Sequence, residues 1–591
     1  MNGRFGTSSA IPLFLILFSC LIWVPSPRAA EVPVTVLVFG LEDEILQNVE
    51  AALALPPGLA ELGELNLPWL ERFERQIPEK VQAALEPFGY YNAQITTKSE
   101  TGAAGKRIIM VTVVLGMPVR VTEVEVTVRG PGSQEAELRD LAADFPLKKG
   151  DVLRGDIYEK TKGAMKSQAN DLGYLDAEFP VGRILVSRVA STARIELVLD
   201  TGPRYFFGAV SFTGADIYPE AFLRRHLAFK PGEAFSYTKL GLTQLNLINS
   251  DRFKEVIISP EKEEARDFVV SVGIRLEPAL PKRLRFGLGY GTDTGARGTI
   301  SYKDLNVRRR GHEFDSELNV SERLQGLAAG YRIPGRDVDS YTGLRLKLQR
   351  EETVTFLSEV ISLELSRTRG FGRGRIGTAY VSLLNEGSTV GEERANAKLI
   401  LPGLRFSQQV YDNHVRPAKG FRYGLELRGT DRSFGSDISL MQVLGEGKII
   451  LPLPWRLSLI TRAQGAITFA SDDLTSLPAS LRFFAGGDNS VRGFAYQSLG
   501  PKDEIGAVLG GRHLLVGSLE VERAILQNWG LAGFYDAGNA FNILKDITLA
   551  QGAGLGVRYY TPVGAIRFDL ARQVGIEDPR FRIHFTLGFQ L

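Results

Sequence analysis

Few side chains in this 591-residue sequence are spaced to make or break a covalent bond. The five histidines, His226, His312, His414, His513 and His584, stand far apart, without the close spacing that metal-ligand motifs use. Cys20 is the sole cysteine, so the chain can form neither an internal disulfide nor a thiolate cluster. The sequence contains no Gly-x-Ser-x-Gly elbow and no His-Glu-x-x-His pair. Gly372-Arg373-Gly374-Arg375-Ile376-Gly377 spells out a dinucleotide fingerprint, but β-like runs flank it and no strand–helix unit surrounds it. It reads as a turn. Gly445-Glu446-Gly447-Lys448 lacks the spacing of a phosphate loop. The expectation is therefore a protein without catalytic residues, metal or cofactor.

The informative polar stretch is of another kind. Arg482-Phe483-Phe484-Ala485-Gly486-Gly487-Asp488-Asn489-Ser490-Val491-Arg492-Gly493-Phe494 combines turn-forming residues with one guanidinium set among apolar neighbours. The second half of the chain must position it. After Pro278 and Pro281 helical periodicity stops and strict alternation begins. Leu284, Phe286, Leu288 and Tyr290 share one face, with Arg283, Arg285, Gly287 and Gly289 opposite. Ile566, Phe568 and Leu570 alternate with Arg567, Asp569 and Ala571. Phe581, Ile583, Phe585, Leu587, Phe589 and Leu591 alternate with Arg582, His584, Thr586, Gly588 and Gln590. Apolar-out, polar-in alternation suits a lipid-facing barrel around a wet lumen. On that reading His584 points inward and is expected to be solvated.

The first half repeats. Val32, Val34, Val36 and Val38 share a strand face; Leu41–Leu55 and Pro68–Leu85 read as helices, ended at Gly89-Tyr90-Tyr91 and followed by a hairpin pattern over Ala93–Thr97 and Arg107–Leu115. The order recurs with a strand at Val124–Val128, helices over Glu135–Phe145 and Arg154–Leu172, and a break at Gly173-Tyr174-Leu175. A third copy opens at Phe206-Phe207-Gly208 and carries helices over Pro219–Leu227 and Tyr237–Asn249. The two breaks, and likewise Gly130 and Gly214, are 84 residues apart, a domain-sized period. Three α+β modules are expected, forming a soluble rod apart from the barrel. Their unpaired sheet edges could accept an extended peptide as an added strand.

The loop stretch resembles the signature VRGF/Y loop of the BamA/TamA outer-membrane assembly superfamily. Its Phe-Phe-Ala-Gly-Gly-Asp-Asn-Ser context is most similar to the translocation and assembly module (TamA) branch. Gly533-Phe534-Tyr535-Asp536-Ala537-Gly538, Gly564-Ala565-Ile566-Arg567-Phe568-Asp569 and the Pro417…Gly420 turn are further family-like features. The β-α-α-β-β modules resemble polypeptide-transport-associated (POTRA) domains. The resemblance implies an α+β and all-β fold: POTRA-like domains at 31–117, 118–203 and 204–279, then a 16-stranded transmembrane antiparallel β-barrel at 282–591, whose ~310 residues suffice for that number of strands. It also implies that Val491, Arg492, Gly493 and Phe494 fold into the lumen and that Arg492 pairs with Asp536; a guanidinium inside a barrel favours a bidentate carboxylate. The lateral seam is expected at Leu284, Phe286 and Leu288 against Gly588, Phe589 and Leu591.

Arg4 followed by the apolar run Ile11–Val24 and Pro25-Ser26-Pro27-Arg28-Ala29-Ala30 reads as a signal peptide over 1–30, and hence as export. Seventy basic against 68 acidic residues leave a net charge of +2, too balanced for a nucleic-acid partner. The family resemblance implies a non-enzymatic assembly factor of the Gram-negative outer membrane with its repeats in the periplasm. Its partners would be outer-membrane lipid, unfolded β-barrel clients including autotransporters, and a TamB-like inner-membrane-anchored protein. The alternatives are a two-partner secretion transporter exporting one exoprotein, and a passive porin. Three repeats argue against the transporter, and an inward-folded loop is unexplained by the porin.

Overall fold

A computed structural model describes residues 34–55, 60–61, 64–101, 106–413, 416–561 and 564–587. The expected signal peptide lies outside them, as do the seam residues Gly588, Phe589 and Leu591 and the histidine His414. The described chain separates into two compact units, divided near Tyr205.

The first unit holds two α+β modules. In the first, Val34–Phe39 runs parallel to Arg107–Val114, which pairs antiparallel with Gln94–Thr101. Helices Asp43–Ala52 and Leu67–Leu85 cover this sheet. Asn66 caps the longer helix by accepting from the Trp69 N–H, and Pro68 occupies its first turn, where no amide hydrogen is needed. Phe73, Ile77, Val81 and Leu85 recur at helical spacing and bury against Ile109 and Val111. The second module repeats the plan: Arg120–Arg129 lies parallel to Thr192–Asp200, itself antiparallel to Glu178–Ser187, under helices Ala136–Ala143 and Gly155–Asp171. The equivalent breaks share a cause. Gly89 and Gly173 have φ of +88° and +96°, and a side chain at either would strike a backbone carbonyl, at 2.6 Å from Leu153 O or 2.8 Å from Tyr205 O.

The second unit contains the third module and the barrel. Phe206–Thr213 is parallel to Val269–Pro278, which pairs antiparallel with Phe253–Pro260; helices Glu220–Arg224 and Tyr237–Ile248 complete it. The three modules therefore share one strand order, in which the last strand lies centrally. Most of the third module, Phe206–Glu233 and the chain from Tyr237, groups with the barrel, while Ala234–Ser236 group with the first unit. Arg225 donates to the carbonyls of Asp337 (2.5 Å), Val338 (2.7 Å) and Ser340 (3.1 Å) in a barrel turn. Arg252 donates to Leu305 O (3.2 Å) and Gly311 O (3.4 Å), and Asn306 reaches back to Ile217 O at 2.9 Å. The module's arginines add to carbonyls that already serve the turn: Ser340 O also accepts from the Gly335 amide, and Asp337 O from the Ser340 amide.

Sixteen antiparallel strands, from Lys282–Gly291 to Phe581–Leu587, close the barrel. Closure removes the edges that such a sheet would expose to lipid. The alternation holds at both ends of the cylinder. Leu284, Phe286 and Leu288 on the first strand, and Phe581 and Ile583 on the last, face outward and are exposed, whereas His584 faces inward. The GxGxxG stretch spans the turn between strands Phe356–Gly370 and Arg375–Val390.

Candidate functional site: the lumen loop and the seam

The chain between strands Leu457–Ala470 and His513–Ala524 folds inward instead of bridging its two strands directly. It pins itself through Phe483–Gly511 and Ala485–Leu499 bridges. Arg482 braces it from within, donating to the carbonyls of Leu477 (2.7 Å), Thr475 (2.9 Å) and Leu509 (3.1 Å). Glu386, on the wall, accepts from the Ser480 amide at 3.0 Å and from its hydroxyl. Val491 is fully buried, and Phe494 packs beside it against Ala485 and Val516.

The structure brings Arg492 and Asp536 together. The guanidinium donates Nε to Asp536 Oδ2 at 2.7 Å and Nη2 to Oδ1 at 3.0 Å, and the Arg492 amide adds a third bond to Oδ2 at 3.1 Å. The pair is one part of a larger cluster that the sequence did not disclose. Arg492 Nη1 also reaches Glu520 (2.7 Å) and Asp569 (3.3 Å), while Arg558 binds the far oxygens of the same two acids at 3.0 and 2.5 Å. The Phe534 ring lies 3.4 Å from the guanidinium carbon and forms its floor. Two arginines and three carboxylates are thus buried together with every charge paired, the condition for keeping charge away from water, though Arg558 Nε has no hydrogen-bond partner among the described residues. Glu520, Arg558 and Asp569 all take inward positions of alternating strands, the one signal that could have found them. Their meeting depends on strand register, which alternation does not reveal.

Gly552 is a further residue that the sequence did not single out. An added Cβ there would lie 1.9 Å from the Arg492 carbonyl oxygen, so the loop seats against the wall only because that position is bare.

His584 is corrected. It is 2% exposed and engaged at both ring nitrogens: Nδ1 lies 2.5 Å from Asp488 Oδ1, and Nε2 accepts from the Gly493 amide at 2.9 Å. The inward loop fills the lumen there and takes the place of water.

The first strand pairs with its sequence neighbour over ten positions, from Lys282↔Asp304 to Gly291↔Gly295. It pairs with the last strand at Tyr290↔Leu587 and Gly291↔Thr586, where the described part of the last strand ends. Leu284, Phe286 and Leu288 lie further along the first strand and are exposed on its outward face.

Two family models match this chain: the Omp85 superfamily domain over residues 281–591, and POTRA domain TamA domain 1 over 35–115. The outer membrane protein assembly factor BamA of Nitratidesulfovibrio vulgaris is 22% identical over 460 residues, which cover 74% of this chain and 57% of that protein. The match thus spans little more than half of that relative's length. Among solved structures, BamA from Haemophilus ducreyi lacking POTRA domains 1–3 superposes with a TM-score of 0.64 at 17% identity, over 79% of this chain and 99% of that one. CdiB from Escherichia coli superposes at 0.50 and 13% identity, over 90% and 100% respectively. At such identities the likeness is one of fold.

Proposed function

The chain belongs to the Omp85 superfamily of outer-membrane barrels, and from that premise we propose that it is a non-enzymatic assembly factor of the TamA kind, which helps β-barrel clients such as autotransporters into the membrane. It sits in the outer membrane with its repeats in the periplasm, so the barrel turns facing the third module are the periplasmic ones. The observation that carries the proposal is the lumen loop, which engages both strands of the seam: Asp488 accepts from Thr292, just after the first strand, and from Thr586 on the last. A client strand needs a backbone edge to pair with, and the junction of the first and last strands is where a closed barrel can part to offer one. Repeat boundaries at 31–117, 118–203 and 204–279 belong to the proposal, as does docking of a TamB-like inner-membrane-anchored partner on the first repeat. The match to POTRA domain TamA domain 1 over 35–115 supports that choice of branch.

Reconstitution tests it. Full-length protein in liposomes should accelerate the folding of an unfolded autotransporter barrel into the bilayer, scored by its acquired protease resistance. Acceleration absent for every barrel client, with export of one soluble exoprotein instead, would replace this reading with a two-partner transporter. Steady ion conductance without either activity would point to a porin. A membrane pull-down with the repeats as bait should recover a large periplasm-spanning protein.

A further inference from the structure

Beyond Gly291↔Thr586, the bonds between the first strand and the last continue into the lumen loop. Thr292, in the turn after the first strand, exchanges backbone and side-chain bonds with Phe585 of the last strand: its amide donates to Phe585 O at 3.0 Å and its hydroxyl accepts from the Phe585 amide at 3.2 Å. The Thr292 hydroxyl also donates to Asp488 of the loop at 3.0 Å. The Asp488 carboxylate accepts as well from Thr586 at 3.3 Å and faces His584 Nδ1, while its amide donates to Asp293 Oδ2 at 2.6 Å. Five residues from Asp488, the Gly493 amide donates to His584 Nε2, and Gln573 holds the Gly493 carbonyl at 3.1 Å.

Chemistry fixes the imidazole's state. A backbone N–H can only donate, so Nε2 must present its lone pair to Gly493. The ring proton of a neutral imidazole then sits on Nδ1, aimed at Asp488. We propose that His584 is the positioning residue of the seam: as a neutral Nδ1–H imidazole it clasps the loop at Asp488 and Gly493 together, and through Asp488 and Thr292 it ties the last strand to the first.

The geometry distinguishes this role from a metal site. One donor atom each from Asp293, Asp488 and His584 lie within 4.8 Å of one another, close enough for a cation. A metal on Nδ1 would move the ring proton to Nε2, however, where it would meet the Gly493 N–H head-on. The charged groups around the ring are Asp293 and Asp488, Asp569 opposite on the neighbouring strand, Arg582 two residues earlier on its own strand, Arg323 bound to the Asp293 carbonyl, and Arg492 beside Gly493. Asp293 Oδ1 is buried without a hydrogen-bond partner, and burial beside Asp488 pushes that carboxyl up to about 6.

The test rests on the assembly reading only for its consequence, since it needs no client. In full-length protein carrying Cys20→Ser, cysteines at Tyr290 and Leu587 report seam pairing through their rate of disulfide formation in nanodiscs. His584→Phe, which cuts both arms, should lower that rate about tenfold, the worth of about one hydrogen bond to a charged group. His584→Gln, whose amide oxygen can still accept from Gly493, should recover part of the loss, and His584→Asn, whose amide can still donate to Asp488, another part. Thr292→Val, which leaves the ring untouched, should loosen the seam while the loop stays protease-resistant; it serves if His584→Phe does not fold. A wild-type crosslinking rate in folded His584→Phe, or in Thr292→Val should His584→Phe not fold, overturns the proposal. So does zinc chloride alone raising the heat-modification midpoint of the wild type but not of His584→Gln, since that is the signature of a metal site. Normal clasp behaviour in a protein that assembles no client would overturn the assembly reading alone.

Discussion

Arg492 and Asp536 are joined by three hydrogen bonds, two from the guanidinium and one from the arginine's own amide. The third bond matters because it fixes backbone as well as side chain: the loop cannot swing away from the wall while the carboxylate remains. The same arginine shares Glu520 and Asp569 with Arg558, so the pair is embedded in a five-member network.

That network makes the two partners unequal. Asp536→Ala leaves two arginines facing two carboxylates, whereas Arg492→Ala leaves Arg558 alone with three buried acids. Removing one partner of a buried pair costs roughly 3–5 kcal/mol. Arg492→Ala should fall at or above that range, and Asp536→Ala about 1–2 kcal/mol below it because Glu520 and Asp569 still hold the guanidinium. Arg492→Lys should behave like a loss, since an ammonium cannot fork to three carboxylates. Urea titration followed by heat-modified gel mobility, with the double mutant closing the cycle, reads the coupling. Strictly additive losses would contradict direct pairing.

Gly552→Ala tests the same loop without touching a charge. The new methyl would overlap the Arg492 carbonyl, so the loop must lift from the wall or the strand must bend. The expected result is a folded barrel with a loosened loop, seen as faster thiol labelling of a cysteine placed at Phe494 and as raised ion conductance.

Much of this architecture is legible in the residues. Repeated glycine breaks mark positive-φ helix ends, and two-residue alternation marks the wall. The loop declares itself by composition. What alternation cannot supply is register, and register is what brings Glu520 and Asp569 within reach of both Arg492 and Arg558. His584 shows the same limit: its inward face is readable, but the loop that replaces water around it comes from a stretch nearly 100 residues earlier. The attachment of the third module to the barrel is likewise invisible in sequence, because Arg225 and Arg252 bind backbone carbonyls, which carry no residue code.

That attachment predicts how the chain divides. A fragment ending at Tyr205 should unfold cooperatively, somewhat less stable than in the full protein because it loses Ala234–Ser236, whose Phe235 amide donates to Tyr205 O and whose Ser236 hydroxyl donates to Asp171. One extended to Ala279 should carry a weaker third module, because Arg225 and Arg252 lose their carbonyl acceptors. Limited proteolysis should cut the third module first in the longer fragment, and Arg225→Ala in the full chain should reproduce that sensitivity.

His226 makes the third module acid-sensitive. The ring is 1% exposed, its Nδ1 faces the carbonyls of Phe222 and Leu223, and burial, reinforced by Arg225, holds its pKa down at about 4. A base whose pKa is depressed on folding binds its proton more readily when unfolded. The module's stability is therefore complete above about pH 6.5 and drains away as pH falls toward 4, by on the order of 3 kcal/mol once both states are protonated. The protection factors of helix Tyr237–Ile248 in the full protein, which correct exchange rates for their intrinsic pH dependence, should fall between pH 7 and 5. His226→Leu should flatten that dependence at some cost in packing.

The last prediction concerns the seam itself. If clients enter by pairing with an edge, the closed ladder is the resting state and its opening is a step of the cycle. Gly291 and Thr586 are directly opposed across the seam, so cysteines there stand at cross-strand distance, within the ~7 Å that a disulfide tolerates. Replacing Cys20 by serine leaves these two as the only thiols. Oxidation should lock the barrel shut without disturbing its fold, because it adds to a pairing already present. Assembly of barrel clients in proteoliposomes should then fall to the uncatalysed rate and recover on reduction, whereas docking of a periplasmic partner on the repeats should be indifferent to the lock. A control pair at Leu288 and Gly298, opposed within the full ladder between the first and second strands, should crosslink without effect. Undiminished assembly by the locked barrel would remove seam opening from the mechanism and leave strand capture by the periplasmic modules to do the work.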